Sequence, residues 1–263
     1  FVFVTDHNKV TDVSGYSLSD GFLLLRGEEI SASFGKPVHV CALGLKATVA
    51  PATGADMVDT IRRNVELARD SDTIALVNHP NWHYSFDHRE LACVERPFLM
   101  EVYNGSSGCN NSGDESHISV EQIWDVLLSR GKLIYCVASD DAHCYTRFEA
   151  GRDNPGSGYV VARVNDLTPS EVMRALREGD FYASTGVELA HYYADAKGIR
   201  LTVKPADGNT YRIRFVGMHG QILREVDGTE AAYQFTGGSC DTYVRVKVIS
   251  SDGTVAWTQP VRR

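Results

Sequence analysis

Leu133-Ile134-Tyr135-Cys136-Val137-Ala138-Ser139-Asp140-Asp141-Ala142-His143 is the stretch on which the reading of this chain turns. Its first six residues are apolar, aromatic or β-branched and predict a buried strand over 133–138. Carboxylates and an imidazole follow at the carboxyl end of that strand. Just upstream, Ser119-x-x-Gln122 forms a capping box. Val120, Ile123, Trp124, Leu127 and Leu128 then share one helical face until Gly131. Helix, strand and metal-type side chains thus occur in that order. Asp141 and His143 lie two apart on extended backbone, so both point the same way.

The same alternation continues outward. Strands are expected at 1–4, 22–26, 38–45, 73–78 and 98–103. Helices are expected at 56–70, where Met57, Ile61, Val65 and Ala68 share a face, and after Thr168-Pro169-Ser170-Glu171, ending at Gly179. Alternating β and α units predict a mainly parallel sheet or barrel. After residue 197 the helical period disappears. Ile199–Val203, Tyr211–Val216 and Tyr243–Val248 alternate with a period of two, between turn pairs such as Asp227-Gly228 and Asp252-Gly253. The expected organisation is therefore an α/β domain over 1–197 and a small antiparallel β-domain, sandwich-like, over 198–263.

Composition narrows the function classes. The chain has 34 acidic and 26 basic residues, for a net charge of -8. That balance argues against nonspecific nucleic-acid binding, which needs clustered Lys and Arg. No apolar run approaches the roughly 18 residues of a membrane span, and no basic segment leads into an apolar one as in a signal peptide. Cys41, Cys93, Cys109, Cys136, Cys144 and Cys240 include no C-x-x-C pair; they are expected to be reduced, which fits a cytoplasmic protein. The first residue, Phe1, falls inside an expected strand, which predicts a longer natural chain.

Three short pieces carry the chemistry: Thr5-Asp6-His7-Asn8, Asn78-His79-Pro80 and Ser139–His143, each after an expected strand. Imidazole and carboxylate without thiolate suit catalytic zinc, manganese or iron. His39, inside Val38-His39-Val40, reads either as a ligand or as a satisfied core histidine. Glu28 and Glu29 alternate across a strand, so only one faces inward. Glu101 and Asn104 are candidates for the site wall. Arg147 and Arg152 follow the Asp-x-His pair, and guanidinium suits bidentate phosphate binding, although a surface ion pair is the commoner use. No Ser-His-Asp arrangement competes, and Gly156-Ser157-Gly158 lacks the phosphate-loop pattern.

Taken in order, Thr5-Asp6-His7-Asn8, Gly27-Glu28-Glu29-Ile30, His39, Asn78-His79-Pro80, Glu101–Gly105 and Asp141-x-His143 resemble the PHP (polymerase and histidinol phosphatase) metallohydrolases. Gly179–Gly186 and Ala256–Pro260 are similar to stand-alone PHP phosphoesterases with a β-domain after the barrel. The resemblance implies a distorted (β/α)7-type, TIM-like barrel and two or three divalent ions. Glu29 would bridge two ions, His39 and His79 would bind the second, and His7, Asp141 and His143 would complete the set. Asp141, His143 and Glu29 would be catalytic; Arg147, Arg152 and Asn104 would meet substrate. The family opens with a His-x-His pair that this chain lacks, so that pair is expected upstream of Phe1. The implied activity is hydrolysis of a phosphate ester of a small metabolite, a nucleotide or sugar phosphate, by metal-activated water. A non-catalytic binding protein that keeps a partial metal site is the alternative, as is hydrolysis of a non-phosphate bond such as an amide.

Overall fold

The computed structural model describes residues 1–16, 19–68, 72–149, 151–237 and 242–262. The end of the helix expected at 56–70 (residues 69 and 70) and Cys240 lie outside the described residues. Among those described, the four helices are α1 (Met57–Leu67), α2 (His88–Ala92), α3 (Val120–Ser129) and α4 (Pro169–Glu178). Two compact units divide the chain. The first comprises Phe1–Glu101, Gly108–Val120 and Ala162–Asp180; the second comprises Val102–Ser107, Glu121–Val161 and Phe181–Arg263.

In the first unit, β1 (Val2–Val4) runs parallel to β2 (Leu24–Phe34). Gly35, at φ 68°, then turns the chain straight into β3 (Lys36–Leu43), antiparallel to β2. That positive φ is the reason a glycine stands there. β4 (Ile74–Val77) is antiparallel to β3, and its other neighbour, β5 (Leu99–Asn104), is parallel to it. All four residues of β4 are buried, as their unbroken apolar run requires of a strand with neighbours on both sides. Asp56 caps α1 by accepting from Asp59 N at 2.7 Å, and Ile61 and Val65 are fully buried. In α4, Thr168 accepts from Glu171 N, Pro169 fills the first turn, and Gly179 at φ 74° ends the helix.

The second unit holds α3, β6 (Cys136–Ser139) and nearly all of the remaining strands. A seven-stranded sheet contains β7 (Tyr159–Ala162), β8 (Phe181–Ser184), β11 (Tyr211–Val216), β12 (Ile222–Asp227), β14 (Tyr243–Ser250), β15 (Val255–Thr258) and β16 (Val261–Arg262). A three-stranded sheet contains β9 (Glu188–Asp195), β10 (Gly198–Lys204) and β13 (Glu230–Gln234). One face of each sheet feeds a common core that includes Ile199, Leu201, Val203, Ile213, Phe215, Val246 and Val248.

This architecture corrects the expected fold. Strand accounts for 35% of the chain and helix for 17%, and no (β/α)7 or TIM-like barrel is formed. The physical reason lies in residues 24–43. The β2–β3 hairpin turns at a single glycine, so no crossover helix separates the two strands, and β3 and β4 are again antiparallel. A parallel βαβ barrel needs a crossover at each of these steps. The strand expected at 133–138 is also shorter: β6 begins at Cys136, and Leu133 is exposed.

Candidate metal centre

Glu29 is the residue around which the first unit's histidines gather. It lies in the middle of β2, opposite Cys41 of β3, and is buried. Two backbone hydrogen bonds bring the His7 turn alongside it: Asn8 N donates to Glu29 O at 2.9 Å, and Glu29 N donates to Asp6 O at 3.1 Å. His39 comes from β3, whose register sets it opposite Ser31. His79 follows β4, and its N–H donates to the buried Glu101 carboxylate at 2.6 Å. Three imidazoles therefore reach one carboxylate. His39 Nδ1 lies 2.8 Å from Glu29 Oε1, His79 Nε2 3.5 Å from the same oxygen, and His7 Nδ1 3.5 Å from Oε2.

The adjacent Glu28 faces elsewhere. Its Oε2 accepts from Val49 N at 3.0 Å, and burial pushes its carboxyl upward. Glu29 moves the other way. Burial by itself would raise it, but the contacts of His39 and His79 outweigh that and hold it at about 2. Glu29 Oε1 and His39 Nδ1 are both shut off from solvent, and neither makes an aligned hydrogen bond despite their 2.8 Å approach. A buried imidazole nitrogen this close to a buried carboxylate oxygen is a donor set that a divalent cation also accepts. Leaving them unmatched would cost desolvation energy with nothing to offset it. One ligand atom each from His7, Glu29 and His39 lies within 4.8 Å of the others, so this group can hold a metal ion.

The wall of the centre includes residues that sequence reasoning missed. Trp82 packs its ring 5.2 Å from His39 and 5.1 Å from His79. Ser31 Oγ lies 2.6 Å from His7 Nδ1 and donates to Glu29 O. Asn78 orients β3 by accepting from Cys41 N at 3.0 Å and donating to Cys41 Sγ. Ser31 was in principle legible, because it lies two residues beyond Glu29 on the same face of a strand. Nothing in the local sequence marks Trp82, which follows a turn. The stacked Tyr84–His117 pair, ring centroids 3.8 Å apart, also belongs to this unit.

Asp141, His143 and Asn104 belong to the second unit. Asn104 is buried, and its Nδ2 donates to Asp141 Oδ2 at 3.2 Å. His143 Nδ1 sits 2.7 Å from Asp141 O and 3.9 Å from Asp141 Oδ1, with the ring half exposed. Arg152 pairs with Glu149 at 2.9 Å, whereas exposed Arg147 makes no ion pair among the described residues. Each of the three chemistry-bearing pieces contains one non-glycine residue in the left-handed region: Asn8 at φ 54°, His79 at φ 22° and Asp141 at φ 47°. Such backbone is uncommon and concentrates where a fold holds side chains for use.

Comparison with protein-family models, with curated proteins and with solved structures gives no match for this chain. The five described cysteines, Cys41, Cys93, Cys109, Cys136 and Cys144, are free. No helix among the described residues is long and apolar enough to cross a membrane.

Proposed function

We propose that the first unit binds a divalent metal at His7, Glu29, His39 and His79 and uses it to hydrolyse a phosphate ester of a small metabolite. The observation that carries this reading is the approach of three imidazoles to one buried carboxylate held at about 2. Neutral imidazole and ionised carboxylate are the donors that zinc, manganese and iron accept. When bound, such an ion supplies an activated water and neutralises a phosphoryl oxygen. Glu29, held low by His39 and His79, brings negative charge to the centre. Glu101 fixes the backbone of His79, and the half-buried Trp82 ring packs against His39 and His79. The phosphate-ester class follows from the PHP-like order of the motifs. The first unit's donors suffice for one ion.

The test is elemental analysis of the full chain beside a panel of phosphorylated metabolites assayed with added Zn²⁺ or Mn²⁺. Wild type should retain close to one ion and turn over at least one panel member. His39→Ala and Glu29→Gln should lose the ion, with affinity down by about 10²-fold or more. Equal metal content in wild type and both variants would overturn the centre. A metal-loaded wild type inert on the whole panel would overturn the phosphatase reading and favour the binding-protein alternative.

A further inference from the structure

The outer face of the three-stranded sheet carries a second candidate site, independent of the metal reading. Strand registers set its side chains in two rows. Tyr193 of β9, Arg200 of β10 and Ala232 of β13 lie side by side, and His191, Thr202 and Glu230 form the next row. Residues two apart on a strand share a face, so both rows point the same way. The intervening Ile199, Leu201 and Val203 point into the core. Arg224 of β12 reaches over the edge, where its Nη1 donates to Ala232 O at 2.7 Å. Together these residues line an open cleft of about 570 Å³.

Three features distinguish this cleft from an ordinary solvated face. Arg200 makes no ion pair among the described residues, although the chain has a net charge of -8. Arg224 is held by a backbone carbonyl rather than by a carboxylate, so its charge is not neutralised there. Tyr193 is 56% exposed beside Arg200, and the small Ala232 leaves the floor of that row open. A flat aromatic ring offers a stacking surface for a sugar ring, and guanidinium groups pair with carboxylate, sulfate or phosphate. Thr202, His191 and Glu230 supply hydroxyl-matching donors and acceptors. The volume falls within the range of small-molecule sites.

We infer that this cleft binds a saccharide bearing an anionic group, with Tyr193 under the sugar ring and Arg200 and Arg224 on the anion. Calorimetric titration of the full chain should use four probes: a uronate-containing tetrasaccharide, glucose 6-phosphate, neutral maltotetraose and inorganic phosphate. Binding of at least one of the two anionic sugars should exceed that of maltotetraose and of phosphate by about tenfold or more. The tetrasaccharide arm reports a carboxylate source and the glucose 6-phosphate arm a phosphoryl source. Arg200→Ala and Tyr193→Ala should each weaken that binding about tenfold or more. Arg200→Lys, which keeps the charge but loses the planar fork, should restore only part of it. Both changes lie at exposed positions, and circular dichroism on the same samples verifies folding. Binding no tighter than that of the neutral sugar, or unaltered in both alanine variants, would overturn the inference. Equal binding of inorganic phosphate and both anionic sugars would reduce the cleft to a simple anion site and overturn the saccharide assignment.

Discussion

Asn8 shows how one residue can serve both backbone and site. Its left-handed φ of 54° lets the chain turn after His7, and its Oδ1 accepts from Ser31 N at 2.8 Å. Asparagine tolerates that conformation better than other non-glycine residues. Asn8→Ala should therefore cost about 1–2 kcal/mol from left-handed strain plus the lost hydrogen bond. Asn8→Gly should cost less, because only the hydrogen bond is lost. Urea unfolding of the two variants beside wild type checks the order, and equal stability of alanine and glycine variants would count against backbone strain there. A few residues away, Glu29 resolves a question that alternation leaves open. Of two adjacent glutamates only one can face the histidines, and the register of β2 with β3 makes it Glu29.

At the level of elements, α3 and β14 are joined by a buried charge network. Arg245 is fully buried and forks onto Asp125, with Nε to Oδ1 at 2.8 Å and Nη2 to Oδ2 at 2.7 Å. Nη2 also donates to Glu121 Oε1 at 2.8 Å, Lys247 pairs with the other Glu121 oxygen, and Tyr243 Oη donates to Asp125. The guanidinium stacks 4.8 Å from the Trp124 ring. The match is one of periods: Tyr243, Arg245 and Lys247 share a strand face, while Glu121 and Asp125 are one helical turn apart. Arg245→Met should cost about 3–5 kcal/mol, because Glu121 and the buried Asp125 lose their guanidinium and keep only Lys247 and Tyr243; chemical denaturation measures it. Burial alone would raise Glu121, but Arg245 and Lys247 outweigh it and pull its carboxyl below the usual range. A depressed folded-state value stabilises the native form above the unfolded value of about 4.5. That contribution is lost as pH falls through the lower, folded value. Glu121→Gln should therefore flatten the stability profile on the acid side, read from unfolding midpoints between pH 7 and pH 3. An unchanged acid limb would exclude Glu121 as its source.

For the molecule as a whole, a metal bound only by the native state must raise stability by mass action. At an ion concentration 100 times the dissociation constant the gain is about 2.7 kcal/mol. Thermal unfolding of chelated protein should thus shift to higher temperature on adding Zn²⁺ or Mn²⁺, and His39→Ala should abolish most of the shift. A shift of the same size in His39→Ala would mean that the ion binds elsewhere. Because the chain divides into two compact units, calorimetry should resolve more than one transition, and the metal should move the one that carries Trp82.

Local signals in the sequence were enough for several of the elements. The cap at Thr168, the stop at Gly179 and the apolar periods of Met57–Ala68 and Val120–Leu128 act within a turn or two, so α1, α3 and α4 stand close to where they are read. The unbroken run Ile74–Val77 and the alternation of Tyr243–Val248 likewise identify β4 and β14. Residue types that could hold metal were legible too, because imidazole and carboxylate declare their chemistry wherever they stand. Strand direction was not. Whether β2 continues through Glu29 to a hairpin at Gly35, or ends there and crosses over through a helix, depends on which strand its backbone pairs with, and that choice is made by partners far along the chain. The barrel expectation failed at that step. Alternation left Glu28 and Glu29 open and the resemblance favoured Glu29; the strand register is what brings it to His7, His39 and His79, and tertiary structure alone packs Trp82 on two of them and buries Arg245 against α3. Each of these depends on a register or a packing face, and such choices are energetically settled only when distant segments come together.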